Sequence, residues 1–185
     1  MFIETETTPN PSTLKFLPGR AVMDQGTANF ADAEAATRSP LATRIFGLGG
    51  VIQVFYGADF ISVSKDEGAS WQELKPVVLA AIMDHFTSGE ALLTRKDAPV
   101  PDADGASEAD DEVVSQIKEL LETRVRPAVA QDGGDIIFEA FADGVVYLQM
   151  HGSCSGCPSS VATLKAGIEN MLRHYIPEVV EVRAV

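Results

Sequence analysis

The first 93 residues contain four short stretches in which apolar and polar side chains alternate, as they do in β-strands with one buried face. These stretches are residues 2–7, 12–16, 51–56 and 60–65. Pro9 and Pro11 separate the first two, and Gly57 separates the last two, which predicts two β-hairpins. Apolar residues at helical spacing predict a short helix over residues 40–46 and a longer one after Ser70. No element is predicted for residues 20–38.

Residues 112–185 show a second set of patterns. In chain order they predict an amphipathic helix over 113–121, strands over 136–141 and 145–150, a helix from Pro158 and a closing strand over 179–182. Arg126-Pro127 is expected to interrupt the first helix, since proline lacks the N–H that a helix interior needs, with a short continuation through Val129 as the alternative. Asp143-Gly144 is a strong hairpin signal between the two strands. The order of elements is therefore α-β-β-α-β.

Residues 94–111 separate these two parts and differ from both in composition. They contain proline, glycine, small residues and acidic residues, with few apolar side chains that could offset the entropy of ordering. We therefore predict two small α+β domains, residues 1–93 and 112–185, joined by a flexible acidic linker over 94–111.

The charge of the chain disfavours some classes of binding partner. The net charge of −13 disfavours binding to nucleic acid or to an anionic membrane surface. The longest apolar run, residues 77–83, is too short to cross a bilayer. No secretory or import signal is visible at the N-terminus.

Two cysteines, Cys154 and Cys157, stand two residues apart between the strand over 145–150 and the helix that begins at Pro158. Unpaired N–H groups and the helix dipole at that helix start are expected to favour thiolate over thiol. An iron–sulfur cluster or a structural zinc ion usually needs four such ligands, so a complete site would need two chains. The alternatives are a dithiol–disulfide redox pair within one chain, a zinc-bridged structural dimer, or a pair of unreactive cysteines.

The remaining candidates have structural interpretations. Asp132 and Asp135 flank two glycines but lack the further oxygen ligands of a calcium loop, so they predict a turn close to the cysteines. His151 is interpreted as a water-exposed strand end rather than a third ligand. His85 lies on an apolar helical stripe and is expected to be a hydrogen-bonded core histidine. No catalytic residue is predicted.

The segments at 132–135 and 152–160 closely resemble those of the Nfu family, which comprises iron–sulfur scaffold and carrier proteins related to the C-terminal domain of NifU. Residues 8–16 and 71–86 resemble the N-terminal domain of the same family. The resemblance therefore covers nearly all of the chain outside the predicted linker.

This resemblance implies a carrier rather than an enzyme. It implies a homodimer that binds a cluster, [4Fe–4S] or alternatively [2Fe–2S], through Cys154 and Cys157 of each chain. Gly152 and Gly156 would let backbone N–H groups approach the cluster sulfurs. The implied partners are cluster-assembly donors and apo iron–sulfur proteins, with a role for the N-terminal domain in recognising them. The missing import signal departs from the precursor form of the organelle members, so a cytoplasmic protein of bacterial type is expected, or a mitochondrial matrix protein in its mature form.

Overall fold

The computed structural model describes residues 2–94, 108–155 and 158–185, and gives the side chains of 2–94, 112–155 and 161–185. The chain divides into two compact units, with the division between residues 101 and 102. Each unit combines helices with a sheet, so the predicted class of two small α+β domains is confirmed. Residues 95–107 of the predicted linker lie outside the described residues, and the limits 1–93 and 112–185 stay a prediction.

A five-stranded antiparallel sheet forms the base of the N-terminal unit. Its strands are β1 Glu4–Thr7, β2 Thr13–Leu17, β3 Ala28–Phe30, β4 Val51–Tyr56 and β5 Ile61–Lys65, in the spatial order β1-β2-β5-β4-β3. Both predicted hairpins are confirmed, because β1 pairs with β2 and β4 pairs with β5. The pairing of β2 with β5 joins the two hairpins into one sheet.

Three helices accompany this sheet: α1 Ala33–Ala36, α2 Pro40–Phe46 and α3 Trp71–Ser88. The predicted helices α2 and α3 are confirmed, and α3 runs through Pro76 without ending there. The sequence pattern over residues 20–38 predicted neither β3 nor α1, since three- and four-residue elements are too short to show a period.

His85 lies in the core of this unit but differs from the prediction in its partners. It is fully buried, and neither ring nitrogen makes a hydrogen bond within the described part of the chain. Its Nδ1 atom is 3.6 Å from a carboxylate oxygen of Glu90, beyond hydrogen-bond distance. Burial lowers the pKa of His85 and outweighs the opposing pull of Glu90. His85 is therefore a neutral core residue at pH 7.

The C-terminal unit packs two helical segments against a three-stranded sheet. Its elements are α4 Glu108–Leu120, a π-helical turn Leu121–Val125, α5 Arg126–Gln131, β6 Gly134–Ala142, β7 Val145–Gly152, α6 Pro158–Tyr175 and β8 Glu181–Ala184. The sheet order is β6-β7-β8, with β6 antiparallel and β8 parallel to β7. This is the predicted α-β-β-α-β order. Asp143 and Gly144 both have positive φ, as the tight turn between β6 and β7 requires.

Two local predictions in this unit differ from the structure. The helix does not stop at Arg126-Pro127 but continues past Val129 to Gln131, because the π-helical turn precedes Arg126 and Pro127 falls in the first turn of α5, where a missing N–H is tolerated. The closing strand lies at Glu181–Ala184 rather than at 179–182. The helix α4 begins at Glu108, before the predicted domain limit at 112.

Candidate functional site

The antiparallel pairing of β6 with β7 brings the two glycine-containing motifs together. Gly134 is opposite Gly152, and Asp135 is opposite His151. The turn at residues 132–133 therefore lies beside the loop that carries Cys154, as the sequence predicted.

Gly134 packs tightly against the cysteine. A β-carbon built at this position would lie 2.5 Å from Cys154 Sγ and 2.7 Å from the carbonyl oxygen of His151. These distances are too short for any side chain, so only glycine allows the loop to pack here. This steric restriction explains why the second position of the glycine pair in the 132–135 motif is a glycine.

Hydrogen bonds hold the cysteine loop against the same turn. The Ser153 hydroxyl donates to the carbonyl oxygen of Asp132, and the Ser153 N–H donates to that of Gly133 at 3.2 Å. At the end of β7, Gly152 has a φ of 64° and its carbonyl accepts from the Ser155 N–H at 3.1 Å. Both ends of the segment that carries Cys154 are therefore fixed to the hairpin.

Cys154 is a free cysteine, only 5% exposed, within the core of the C-terminal unit. Burial raises the pKa of the Cys154 thiol to about 12, and the carboxylates of Asp132 and Asp135 act in the same direction. The prediction of a thiolate is therefore wrong for Cys154 of the metal-free chain, and for Cys157 it stays a prediction. Cys154 lies before the start of α6, and burial is the largest cause of the rise in its thiol pKa.

Asp135 is buried and held by an ion pair that the sequence did not predict. Arg126 donates through Nε to Oδ1 and through Nη2 to Oδ2 of Asp135, both at 2.8 Å. Arg126 also pairs with Glu122 on the preceding π-helical turn. The hydrogen bonds to Asp135, together with the two neighbouring carboxylates, raise the pKa of Arg126. No sequence pattern indicates this pair, because the burial of Asp135, which makes a cationic partner such as arginine necessary, is visible only in the structure.

The other predicted site residues have mixed outcomes. His151 is half-buried rather than exposed, and burial lowers its pKa despite the nearby Asp135. Gly152 lies at the end of β7, two residues before Cys154. Cys157 and Gly156 lie outside the described residues.

The described residues contain no cluster of three histidine, cysteine or acidic side chains that could hold a metal ion. Within 2–94, 108–155 and 158–185, the site thus offers Cys154 as a single soft ligand on a fixed loop. Any metal centre built on it needs further ligands, from residues 156–157, from a second chain or from both. Among the helices described, none has the length and apolar character needed to span a bilayer.

Comparison with known proteins places both units in one family. Residues 3–89 match the model described as "Scaffold protein Nfu/NifU N terminal", and residues 117–183 match the NifU-like domain. The chain is 53% identical over its full length to the human "NFU1 iron-sulfur cluster scaffold homolog, mitochondrial", and covers 72% of that protein. It is 52% identical to "NifU-like protein 4, mitochondrial" of Arabidopsis thaliana over 97% of its own length. It is 55% identical to the Drosophila sechellia homologue of the human protein over its full length.

The chain spans 64% of the Arabidopsis relative and 65% of the Drosophila relative. These relatives carry mitochondrial names, which give no support to the cytoplasmic bacterial prediction. The human and Drosophila relatives are named as scaffolds, in agreement with the expectation of a non-enzymatic protein. With both domains matched and more than half of its residues identical to those of a full-length relative, the chain belongs to the Nfu family of NifU-related iron–sulfur cluster scaffold proteins.

Proposed function

We propose that the protein binds an iron–sulfur cluster between two copies of its chain and passes it to apo iron–sulfur proteins. Cys154 and Cys157 of each copy supply the four thiolates, and the cluster is [4Fe–4S], with [2Fe–2S] as the alternative. Gly152 and Gly156 let backbone N–H groups approach the cluster sulfurs. The protein receives the cluster from assembly donors, and the N-terminal unit takes part in recognising donors or targets.

One observation supports this proposal most directly: Cys154 is an isolated ligand on a rigid loop. Its loop is fixed by Ser153 and by the close contact with Gly134, yet no second and third metal ligand accompany it in the described part of the chain. Cys157 adds one more thiol per chain, which leaves a four-ligand site half complete. A second copy related by two-fold symmetry supplies the missing pair.

Metal binding changes the protonation of this thiol. A coordinating thiol is deprotonated, whereas the pKa of about 12 keeps free Cys154 neutral at pH 7. Loading therefore releases a proton from Cys154, and departure of the cluster returns it. Because each chain contributes only two bonds, thiolates of a target protein can replace them one at a time by ligand exchange without unfolding either core.

The same observation disfavours a dithiol oxidoreductase. Thiol–disulfide exchange begins with a thiolate, and reactive cysteines are partly exposed in electropositive surroundings. Cys154 is instead buried beside two carboxylates. A zinc-bridged structural dimer uses the same four thiolates, and it differs from the proposed state in its metal content and colour.

The test is anaerobic reconstitution with iron and sulfide, followed by metal analysis of the size-separated protein. A brown dimer with about four irons and four sulfides per two chains is the expected product. About two of each would favour the [2Fe–2S] alternative. A colourless dimer that takes up only zinc, or a monomer that takes up no metal, would contradict the proposal. Transfer is then tested by mixing the loaded dimer with an apo ferredoxin-type acceptor and separating the two proteins.

Mitochondrial names among the relatives support the matrix as the compartment. In that compartment the apo iron–sulfur proteins are soluble partners of the dimer, and its acidic net charge gives no affinity for nucleic acid or anionic lipid. Fractionation of cells that express the native gene, with detection of the protein in matrix and cytosol, distinguishes this location from the cytoplasmic one.

A further inference from the structure

We propose that Arg126 and Asp135 form a positioning pair for the cysteine loop, and that this pair keeps Cys154 in the conformation that retains the cluster. The inference rests on the proposed function for its last step. Its first step, the control of Cys154 by Arg126, is testable in the metal-free protein.

The geometry of the pair leaves the carboxylate little freedom. The side chain of Asp135 is 4% exposed, and both of its oxygens accept from the Arg126 guanidinium at 2.8 Å. Oδ1 also accepts from the Ile136 N–H at 2.8 Å. A lysine at position 126 would keep the charge but would lose the two parallel hydrogen bonds that fix the orientation of the carboxylate.

This fixed carboxylate is one residue away from Gly134, which packs tightly against the cysteine. Asp135 directly follows Gly134, where the space for a β-carbon is only 2.5 Å from Cys154 Sγ. A small movement of the backbone at Asp135 therefore changes the packing around the sulfur. Ser153 ties the same segment to the loop through Asp132 and Gly133. Segment 132–135 thus contacts the loop along its length, and Arg126 connects it to the helical layer.

The helix supplies a matched control at Arg124. This arginine lies two residues before Arg126, and its guanidinium carbon is 5.1 Å from the centre of the Tyr175 ring. Its replacement removes the same charge from the same helix without touching the pair with Asp135. Any effect of Arg126 through net charge alone would therefore also be seen at Arg124.

The first measurement is the alkylation rate of Cys154 by iodoacetamide in full-length, metal-free protein. A Cys157→Ser background leaves Cys154 as the single thiol. We expect Arg126→Met to speed the reaction roughly tenfold or more, because the thiol reacts through local opening of the loop. Arg126→Lys should retain most of this increase, and Arg124→Met should react at the parent rate.

Arg126→Met leaves the buried carboxylate of Asp135 without its cation and could unfold the unit. The double variant Arg126→Met with Asp135→Asn removes that buried negative charge and keeps an acceptor for Ile136. It should fold, as judged by circular dichroism, and still show the faster alkylation. Parent-like alkylation in the double variant would overturn the proposal, because the ion pair would then be a structural pair with no control of the loop.

The second measurement is iron loss from the reconstituted dimer to a chelator, with both cysteines present. Replacement of a residue that orients a metal ligand typically weakens binding about 10–100-fold, and we expect the double variant to lose its colour faster by a factor in that range. Iron loss from the double variant at the wild-type rate would overturn the inference that this pair helps to retain the cluster. If wild-type protein took up no iron, the proposed function would fail, while the alkylation result would still decide whether Arg126 controls the loop.

Discussion

A β-carbon placed on Gly134 would lie 2.5 Å from the sulfur of Cys154, a separation that real β-carbons do not show. The same atom would be 3.1 Å from the backbone nitrogen of Cys154. Gly134, the first residue of β6, therefore packs against Cys154 with no room for a side chain. A larger residue at position 134 would have to displace the cysteine.

Gly134→Ala should displace the cysteine loop. The added methyl group meets backbone as well as sulfur, so we expect a loss of about 1–3 kcal/mol in unfolding free energy, typical of overpacking. Cluster content after reconstitution should fall well below that of the wild type. Gly167→Ala is the control, because this helical glycine has open space around it and the change should stabilise α6 by roughly 0.5–1 kcal/mol. Normal cluster content in Gly134→Ala would show that the loop can move without losing its ligand.

Cys154→Ser and Cys157→Ser should each abolish cluster binding and leave helix content nearly unchanged. No set of three histidine, cysteine or acidic side chains in the described residues could hold the metal in place of the lost thiolate. Iron and sulfide analysis after reconstitution measures the first effect, and circular dichroism measures the second. Unfolding of either variant would instead assign the cysteine a structural role.

His85 should make the N-terminal unit sensitive to mild acid. Burial lowers its pKa in the folded state below the unfolded value of about 6.5, so the unfolded chain binds more protons. The contribution of neutral His85 to the free energy of unfolding is complete above pH 6.5. It declines as the pH falls below that value, by at most about 1.4 kcal/mol per pH unit. Urea unfolding from pH 7.5 to 5.5, followed by the fluorescence of the single tryptophan, Trp71, measures this decline.

His85→Leu should remove the decline, because leucine fills a similar volume and does not titrate. His174→Gln is the control, since His174 is exposed on α6 in the other unit and should leave the pH dependence of Trp71 unfolding intact. A decline of the same size in His85→Leu would assign the acid sensitivity to other groups.

Ser39→Ala should destabilise the N-terminal unit more than an exposed cap does. The Ser39 hydroxyl is buried, 2.7 Å from the Tyr56 hydroxyl, and accepts from the Ala42 N–H at 3.2 Å. Its removal leaves buried polar groups with fewer partners, at a cost of about 1–3 kcal/mol.

Ser70→Ala removes an exposed helix cap and should cost only about 1 kcal/mol. The free energy of unfolding in urea is measured for Ser39→Ala, Tyr56→Phe and the variant that carries both changes, and this double-mutant cycle isolates the contribution of the hydroxyl pair. Ser70→Ala is measured in the same way. Equal losses of unfolding free energy in Ser39→Ala and Ser70→Ala would show that the Ser39–Tyr56 hydroxyl contact adds no stability beyond that of a helix cap.

The elements that sequence reasoning predicted are those with a clear local cause. Alternating apolar residues and a turn of Asp143-Gly144 define the β6–β7 hairpin, and Ser39-Pro40 defines the start of α2. Proline at the first helical position likewise predicted the start of α6 at Pro158. In each case the residues that decide the structure are neighbours in the chain.

The features that were missed depend on residues distant in sequence. The protonation of Cys154 follows from its burial and from Asp132 and Asp135, which strand pairing brings beside it. The strand β3 is three residues long and exists because β4 offers it a free edge. The ion pair of Arg126 with Asp135 joins a helix to a strand, and the sequence shows only a proline that seemed to end the helix.

The π-helical turn at Leu121–Val125 closes with the Arg126 N–H bonded to the Leu121 carbonyl, so it holds one residue more than an α-helical turn. The extra residue is taken up within about one revolution, and the helix after it keeps its direction, with Arg126 bonded to Asp135. Removal of one residue from this turn would therefore let it close as a regular α-helical turn and leave the ion pair in place. The irregular turn separates the number of residues in the helix from the direction in which Arg126 points.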